Sequence, residues 1–418
     1  MTENPFSPMP EANFKMNSVL LAGQNYRIGG GSDRYLVELG KALEGCGLEV
    51  IPFVAAQEEN LPSPWSDYFP QGARFESPSL SDAFNFIYSK SSRQSLEKLL
   101  SVKKVNVAHL NIYYGKLTAS ILDPLRRRGI PIVQTLHEYK LICPVYTLVS
   151  GGQICERCSA GSYWNCVARR CNRGSLARSM LSTVESYVSS HSGAIALVDH
   201  FIAVSEFSRG KHIERGVPAS KITAIPNFVT LEGVEPEAAV GDYVLYFGRV
   251  ERVKGVFTLL EAAALMPTVE FLIAGSGNAL DELKAEAARR QVENIRFLGH
   301  LSGADLETAI RGALCTVLPA EWYEPFGLTI LESFARGRCV VGSRIGGIPE
   351  IIVHGENGLL FSPGDAAELV EHLSFLVRNP KVAAQMGRAG RLHAERKFSW
   401  RAYFEKLKEV YRHVGVSL

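Results

Sequence analysis

The segment Glu324-Pro325-Phe326-Gly327-Leu328-Thr329-Ile330-Leu331-Glu332 places one carboxylate at a predicted helix start and a second about two turns further along. Apolar residues at helical spacing predict an amphipathic helix, which Gly337 would end. Pro325 suits the first helical position, where an N–H has no partner within the helix. The amides that follow would form an anion site, and eight helical residues would separate the two carboxylates by ~12 Å. That distance suits a diphosphate flanked by two sugar rings, although an ordinary amphipathic helix with a solvated Glu at each end has the same pattern.

A second segment carries two cations just after a predicted strand. Tyr243–Phe247 is a short apolar run that predicts a buried strand, and it leads into Gly248-Arg249-Val250-Glu251-Arg252-Val253-Lys254-Gly255. Open α/β sheets bind ligands at the carboxyl ends of their strands. Arg249 can hold a phosphate through two hydrogen bonds, and Lys254 can act as a point charge. The pair therefore predicts a phosphate site, although two cations in a loop are usually only solvated.

The first half of the chain has the order strand, glycine-rich loop, helix, strand. Ser18–Ala22 predicts the first strand, residues 25–32 form the loop, and Leu48–Val54 predicts the next strand. This order is typical of a doubly wound sheet. An NAD site is the rival interpretation of the loop, but three consecutive glycines at 29–31 do not match G-x-G-x-x-G. The later predicted strands of this half are Val105–Leu110 and Ile130–Leu136. His137 follows the last of them, at its carboxyl end.

The second half begins after Pro226-Asn227 and again alternates strands with helical patterns, which predicts a second parallel sheet. Its predicted strands are Tyr243–Phe247, Glu270–Ala274, Ile295–Phe297, Cys315–Leu318 and Val340–Gly342. The stretch from Trp400 to Tyr411 has apolar residues at helical spacing. We therefore predict an α/β protein with domains at 1–229 and 230–398, followed by a C-terminal helix within 399–418.

Composition and charge exclude several classes of protein. The 418 residues are enough for two domains, and 46% of them are apolar. The formal net charge is +2 and no RNA-binding motif is present, so we expect no nucleic-acid partner. No run of about 18 apolar residues predicts a membrane span. The N-terminus lacks a basic region followed by an apolar block, so no signal peptide is predicted and we expect a cytoplasmic protein.

Five of the eight cysteines cluster in a glycine-rich insertion in the first domain, at residues 143–174. Cys155-Glu156-Arg157-Cys158 has the C-x-x-C spacing of a zinc knuckle, and two further thiolates would complete a tetrahedral structural site. Cys143 and Cys171 are our candidates because they would tie the base of the insertion to its far end, which leaves Cys166 over. Free thiols and disulfides are the alternatives, and a reducing cytosol disfavours disulfides.

Arginines also gather in and just after this insertion, close in sequence to Tyr163 and Trp164. They are Arg157, Arg169, Arg170, Arg173 and Arg178. A solvated basic face is the default interpretation. Aromatic residues beside arginine favour contact with an anionic membrane surface or with a lipid-linked phosphate acceptor.

Taken together, these motifs resemble the family 4 glycosyltransferases, a large group of retaining enzymes with the GT-B fold. The strongest matches are Gly248-Arg249 with Lys254-Gly255, the pair Glu324 and Glu332, and Gly346-Gly347-Ile348-Pro349-Glu350. The weaker ones are Gly29-Gly30-Gly31, His137 and Gly275-Ser276-Gly277. The resemblance extends over nearly the whole chain. It implies two doubly wound, Rossmann-like domains that face each other across a cleft, with the acceptor on the first, the donor on the second, and the final helix crossing back to the first.

The resemblance also implies roles for individual residues. The donor-binding residues would be Gly30, Arg249, Lys254, Gly275, Phe326, Gly327, Leu328 and Glu332. Arg249 and Lys254 would neutralise the donor diphosphate, and Glu332 would hold the ribose hydroxyls. The catalytic residues would be Glu324, which would hold donor-sugar hydroxyls, and His137, which would face the donor sugar from the other domain. We expect Lys254 and Glu324 at exposed positions.

The implied activity is transfer of a sugar, with retention of its anomeric configuration, from a nucleotide-diphosphate sugar to a sugar or lipid-linked acceptor. Synthesis of surface polysaccharide or glycolipid is the expected setting, with peripheral contact at the inner membrane face. We expect no cofactor in catalysis, because the two cations make a catalytic metal unnecessary, and structural zinc at the cysteines. A two-carboxylate glycosidase would leave Arg249 and Lys254 without a role. An inactive sugar-nucleotide-binding scaffold would predict a broken motif, whereas both Glu residues and both cations are present.

Overall fold

The computed structural model describes residues 17–72, 80–236 and 240–417. The N-terminal segment on which the signal-peptide prediction depends lies outside these residues. Contacts divide the chain into two compact units. Unit 1 takes in the described residues of Met1–Gly151, Cys155–Ile225 and Phe404–Leu418, and unit 2 those of Gly152–Ile154 and Pro226–Tyr403.

The strands within the described residues are β1 Ser18–Ala22, β2 Glu49–Phe53, β3 Val107–Leu110, β4 Ile132–Leu136, β5 Val149–Ser150, β6 Gln153–Ile154, β7 His200–Ala203, β8 Ile222–Ala224, β9 Tyr243–Phe247, β10 Phe271–Ala274, β11 Ile295–Gly299, β12 Ala313–Leu318, β13 Val340–Ser343 and β14 Gly358–Phe361. The helices are α1 Gly31–Gly45, α2 Leu80–Ile87, α3 Lys90–Val102, α4 Leu122–Arg127, α5 Trp164–Ala168, α6 Leu176–His191, α7 Glu206–Ile213, α8 Val256–Leu265, α9 Leu280–Arg289, α10 Gly303–Arg311, α11 Leu328–Ala335, α12 Ala366–Arg378, α13 Pro380–Lys397 and α14 Trp400–His413.

Unit 1 contains a six-stranded parallel sheet in the order β2-β1-β3-β4-β7-β8. The order reverses between β1 and β3, and ligands of doubly wound sheets bind at the carboxyl ends beside such a reversal. The glycine-rich loop follows β1, Asn111 follows β3 and His137 follows β4. These three features therefore share one edge of the sheet.

Unit 2 contains a second six-stranded parallel sheet, in the order β11-β10-β9-β12-β13-β14. This is the strand order of the dinucleotide-binding fold, with its reversal between β9 and β12. Successive residues of β9 enter different apolar clusters, since Val244 and Tyr246 belong to one and Leu245 and Phe247 to the other. Both faces of the sheet are thus buried, as parallel sheets require.

The predicted fold class, α/β with two doubly wound parallel sheets, is confirmed. The units divide between Ile225 and Pro226 rather than at the expected 229/230, and Phe404–Leu418 groups with unit 1. There, the Tyr411 hydroxyl lies 2.8 Å from Nδ1 of the buried His109. The earlier part of α14 belongs to unit 2, where Trp400 and Tyr403 pack around Phe228.

None of the helices that the structure describes is long and apolar enough to cross a membrane.

Candidate active site

The carboxyl ends of β9, β10, β12 and β13 lie side by side in unit 2. The residues that follow these four strands are, in the same order, Gly248-Arg249, Gly275, the segment 319–324 that ends in Glu324, and the loop that contains Gly346-Gly347. Since parallel strands end at one edge of a sheet, distant sequence motifs come together there. The predicted donor-binding residues of unit 2 therefore lie along a single sheet edge.

Lys254 and Glu324 form the centre of this edge. The Nζ atom of Lys254 lies 2.6 Å from Oε2 of Glu324, and only 13% and 11% of the two side chains are exposed. Trp322 donates its Nε1–H to the same carboxylate oxygen at 2.9 Å, and the Lys254 ammonium lies 4.7 Å from the centre of a Trp322 ring. The expectation that both residues are exposed was wrong, because the indole covers the ion pair.

The backbone of Glu324 is held by the glycine motif after β13. The Gly347 amide donates to the Glu324 carbonyl at 2.8 Å, while the Glu324 amide donates to the Trp322 carbonyl at 2.7 Å. A β-carbon on Gly346 would lie 2.3 Å from the Glu324 carbonyl oxygen. The Gly346-Gly347 segment thus packs directly on the Glu324 backbone and fixes its position.

Helix α11 begins at Leu328, so the prediction that Pro325 occupies the first helical position was wrong. Gly327, the residue before the helix, has a φ of 108°, a left-handed conformation that interrupts helical geometry and favours glycine. The first amides of α11 have no partner within the helix and can still face an anion. Phe326 is buried outside the helix, and Glu332 is the fifth helical residue, partly buried.

Arg249 lies at the exposed rim of the same edge, where its Nη1 is 3.0 Å from Oε1 of Glu251. The loop after β9 is tied to the loop after β10, since the Val250 amide donates to the Ser276 carbonyl at 2.9 Å. A β-carbon on Gly275 would lie 1.8 Å from the Gly248 carbonyl oxygen. Gly275 therefore permits a close approach of two loops that any larger residue would prevent.

Sequence reasoning missed two aromatic residues of this site, Trp322 and Tyr246. The Tyr246 hydroxyl donates to the Arg249 carbonyl at 2.6 Å, and burial, together with the Glu324 carboxylate, raises the pKa of Tyr246. Tyr246 was hidden within the apolar run of β9. Trp322 lies in a loop, where no periodic pattern predicts its surroundings. Its position two residues before Glu324 is the one feature of the sequence that could have placed it in the site.

His137 lies in unit 1, between β4 and α5. Its Nε2 is 3.0 Å from Oδ1 of Asn111, and its ring meets the Tyr35 ring edge-on at 4.6 Å. Burial lowers the pKa of His137 to about 3, so the imidazole is neutral at physiological pH. With Nε2–H assigned as the donor to Asn111, Nδ1 is left as an acceptor that suits a hydroxyl group.

Gly30 immediately precedes α1, and a β-carbon there would meet nothing within 4 Å. A polar cluster that sequence reasoning missed lies beside this loop. Asn25 donates to Asp33 at 2.8 Å and accepts from Lys116 at 2.8 Å, and Arg27 lies 3.8 Å from Asp33. The glycine-rich loop of unit 1 is therefore bordered by two cations and one carboxylate.

The cysteines of the insertion lie near one another but do not form the expected metal site. All eight cysteines are free thiols. Burial, together with the neighbouring Cys143, Cys171 and Cys155, raises the pKa of Cys158 to about 12. A hydrogen bond from Cys166 lowers the pKa of Cys171 to about 6. Within residues 17–72, 80–236 and 240–417, no three His, Cys, Asp or Glu side chains are arranged to hold a metal ion. Cysteine sulfur suits zinc, and these side chains would have to move closer together to hold it.

Two family models match the chain, and between them they span most of it. Residues 29–232 match Glycosyltransferase Family 4, and residues 234–393 match Glycosyl transferases group 1. The chain belongs to glycosyltransferase family 4. The resemblance inferred from its motifs is thereby confirmed.

Curated relatives of this family 4 chain include a glycogen synthase of Mycobacterium tuberculosis (strain H37Rv), 34% identical over 173 residues, which are 40% of this chain and 42% of the relative. A phosphatidyl-myo-inositol mannosyltransferase of Mycobacterium leprae is 32% identical over 227 residues, 52% of this chain and 59% of the relative. The matches thus span about half the length of these curated relatives.

Solved structures with the same fold cover nearly the whole chain. A sucrose-phosphate synthase from Thermosynechococcus elongatus has a TM-score of 0.70 at 20% identity, over 96% of this chain and 99% of that one. The HepE protein of Anabaena, in complex with UDP and glucose, has a TM-score of 0.67 at 18% identity, over 95% of this chain and 99% of that one. At these identities the likeness concerns the fold, and it agrees with the GT-B fold expected for the family.

Proposed function

We propose that this family 4 chain is a retaining glycosyltransferase that moves a sugar from a nucleotide-diphosphate sugar to a sugar or lipid-linked acceptor. The main support is the contact between the Lys254 ammonium and the Glu324 carboxylate, 2.6 Å apart at the strand-order reversal of unit 2. Lys254 suits a phosphate, and Glu324 suits sugar hydroxyls. Phosphate and sugar are adjacent in the donor, as these two groups are adjacent in the protein.

In the proposed reaction, the bond between the anomeric carbon and the diphosphate oxygen breaks. The acceptor oxygen forms a bond to the same face of that carbon, and the acceptor proton passes to the leaving phosphate oxygen. Negative charge develops on the nucleoside diphosphate, where Lys254, Arg249 and the first amides of α11 would stabilise it. Trp322 would keep its hydrogen bond to Glu324 while Lys254 turns toward the phosphate.

The roles of Glu332 and His137 remain part of the proposal. Glu332 lies one turn inside α11, where it would accept hydrogen bonds from the ribose hydroxyls. His137 is neutral, so it would accept a hydrogen bond from a sugar hydroxyl through Nδ1 and would not supply a positive charge. Gly30 and Gly275 would allow the donor to approach the backbone closely.

Two other functions fit the site less well. A glycosidase needs a carboxyl group that donates a proton, whereas Oε2 of Glu324 accepts hydrogen bonds from Lys254 and Trp322. That mechanism also gives Arg249 no task. A binding scaffold without activity would predict a broken motif, whereas both Glu residues and both cations are present.

A lipid-linked acceptor is favoured by the relative named phosphatidyl-myo-inositol mannosyltransferase, whose name specifies a lipid. For this chain we propose a cytoplasmic enzyme in peripheral contact with the inner face of a membrane, as in surface polysaccharide or glycolipid synthesis. The exposed arginines of the cysteine-rich insertion support that contact.

We also propose that Cys143, Cys155, Cys158 and Cys171 hold a structural zinc ion. The support is their proximity, since Cys143, Cys171 and Cys155 are close enough to Cys158 to raise its pKa. Zinc binds the deprotonated form of cysteine, so metal binding would release protons and would accompany closure of the site.

The donor is tested first by binding of UDP, GDP and ADP in a titration calorimeter, and then by transfer from the matching nucleotide sugars. UDP is the first choice because the related HepE structure contains it. We expect one nucleotide to bind, with affinity at least about tenfold lower in Lys254→Met. EDTA should leave transfer unchanged in a short assay. Absence of binding by all three would contradict the donor proposal, and loss of activity restored by Mg²⁺ would contradict the role of the two cations.

A further inference from the structure

Helix α6 has a polar buried face and an apolar exposed face, the reverse of the usual arrangement. Its buried residues are Ser179, Ser182, Thr183, Glu185, Ser186 and Ser189. Its exposed apolar residues are Leu176, Met180, Val184 and Tyr187, with exposed fractions of 47%, 50%, 41% and 43%. Spacings of four, four and three residues place these side chains on one side of a helix. The helix therefore presents an apolar stripe to the outside of unit 1.

The buried polar face has a structural explanation. Lys140 and Glu185 form an ion pair whose side chains are 6% and 1% exposed. Lys140 also donates to the Pro144 carbonyl at 2.8 Å and to the Ser186 hydroxyl at 3.2 Å. The serine and threonine side chains on the inner face of α6 thus lie in a polar part of the interior, next to a buried ion pair. Within the part of the chain that the structure describes, the stripe on the outer face has no such explanation.

Further apolar surface adjoins the stripe. Trp164, the first residue of α5, is 60% exposed, and its amide donates to the Tyr187 hydroxyl at 3.3 Å. Phe84 is 73% exposed on α2, a helix that packs against α6. We call Leu176, Met180, Val184, Tyr187 and Trp164 the α6 apolar surface.

Five exposed arginines lie in the cysteine-rich insertion and in the first turn of α6. Residues 157–184 contain no Asp or Glu. The exposed arginines are Arg157, Arg169, Arg170, Arg173 and Arg178. The segment is fastened to α6, because Asn172 donates its backbone amide to the Ser179 hydroxyl at 3.0 Å and its side-chain amide to the Ser182 hydroxyl at 2.9 Å. The segment that carries Arg169, Arg170 and Arg173 is therefore held against the helix that carries the apolar stripe.

We propose that the α6 apolar surface and the five arginines bind an anionic lipid bilayer. The aliphatic and aromatic side chains would enter the boundary between headgroups and acyl chains, while the arginines would meet lipid phosphates. A second copy of the chain is a poorer occupant, because a symmetric contact would bring ten arginines together. The inference rests on the proposed function, since a lipid-linked acceptor is presented at a bilayer surface.

The experiment is co-sedimentation of the full chain with vesicles of phosphatidylcholine, alone or mixed with phosphatidylglycerol. We expect binding to the mixed vesicles at low salt, weakened about tenfold at high salt, and little binding to phosphatidylcholine alone. Arg169→Glu with Arg178→Glu should weaken binding about tenfold or more. Met180→Ser with Val184→Ser should also weaken binding, but the binding that remains should depend on salt as in the unmodified chain.

Matched controls come from unit 2. Arg388→Glu with Arg401→Glu reverses two exposed arginines, and Phe375→Ser with Leu392→Ser removes two exposed apolar side chains. Both control proteins should bind vesicles like the unmodified chain. Equal melting temperatures and equal nucleotide binding across all four variants would show that folding is intact.

The outcomes separate the surface from the enzyme. Absent binding to anionic vesicles, or equal losses in test and control variants, would overturn the inference. Self-association abolished by Met180→Ser with Val184→Ser, without vesicle binding, would also overturn it and assign the surface to a second copy. Vesicle binding by a chain that binds no nucleotide would support the surface and overturn the proposed function. Transfer to a water-soluble acceptor without vesicle binding would support the proposed function and overturn the inference about the surface.

Discussion

At the residue scale, Lys254 and Glu324 compensate each other's charge in a place that water hardly reaches. Breaking a fully buried ion pair costs about 3–5 kcal/mol of stability, and slightly exposed pairs cost less. A donor phosphate would compete with Glu324 for Lys254, so substrate binding and local stability depend on the same contact. Substitutions here therefore need a stability measurement beside every rate.

We predict that Glu324→Gln lowers the transfer rate by about 10²–10³-fold, because one contact to the donor sugar weakens in the transition state. The amide keeps the shape of the carboxylate, so we expect little change in the melting temperature. Glu324→Ala should lose similar activity and more stability, since Lys254 is left without its partner. Initial rates and thermal unfolding check both statements, with the exposed Glu371→Gln as control. A rate within about threefold of the unmodified enzyme for Glu324→Gln would refute the role.

Trp322→Phe tests the indole separately. Phenylalanine keeps an aromatic ring beside Lys254 and removes the Nε1–H that Glu324 accepts at 2.9 Å. A hydrogen bond to a charged group contributes about 1.5–3 kcal/mol, so kcat/KM for the donor should fall about tenfold or more. Trp65→Phe is the matched control, because Trp65 also lies beside a lysine, Lys103 at 5.7 Å, away from the site. If Trp322→Phe and Trp65→Phe are equally active, the Trp322 indole contributes only packing to the site.

The charged residues of the site could be predicted from the sequence because they interrupt or border apolar runs that predict a strand or a helix. Arg249, Lys254 and Glu324 were predicted from spacing and charge, and all three lie at the same sheet edge. Their contact with one another could not be predicted, since it depends on the path of the loop between β12 and α11. The same loop path brings Trp322 over the pair.

At the element scale, helix limits depend on backbone conformations that residue types only suggest. Pro325 favoured a start at 325, but Gly327 adopts a φ of 108° and delays α11 to Leu328. Helix α6 is a second case in which the sequence pattern does not determine the structure. Periodicity identifies an apolar side of a helix, and the buried Lys140–Glu185 pair decides that this side faces outward.

The cysteine-rich insertion gives the prediction at this scale. Protein purified without a metal-affinity tag should carry about one zinc ion per chain, and Cys155→Ser or Cys158→Ser should lose it and lower the melting temperature. Cys46→Ser is the matched control, because Cys46 lies far along the chain at the end of α1. Elemental analysis with thiol titration decides the matter. Zinc near zero with all eight thiols titrating would show that the insertion folds as free cysteines.

At the scale of the whole molecule, two doubly wound sheets could be predicted because each half repeats strand, loop and helix at short intervals. The strands β1 and β9 have the predicted limits. The strand β7 was missed because Asp199 and His200 interrupt its apolar run. In the structure the His200 ring pairs with the Thr223 hydroxyl on β8 at 2.9 Å, a partner that becomes adjacent only when the sheet forms.

Buried histidines give the chain a predictable response to acid. Burial lowers the pKa of His109 to about 3 and of His212 to about 4, and both side chains are fully buried. Both are neutral in the folded chain at pH 5. In the unfolded chain both have the ordinary histidine pKa of about 6.5, so they are protonated below that pH. The unfolded state then binds more protons, so the free energy of unfolding falls as pH drops from about 6.5 toward 4.

The loss should reach at most about 2 kcal/mol for each buried histidine at pH 5. Urea denaturation midpoints at several pH values between 5 and 8 measure it. His109→Gln removes one titrating group while its neighbours Tyr411 and Thr135 keep a polar partner, so the midpoint should depend less steeply on pH. The exposed His191→Gln is the control and should keep the original slope. A slope unchanged by His109→Gln would mean that His109 binds its proton equally in both states, and that the acid response has another source.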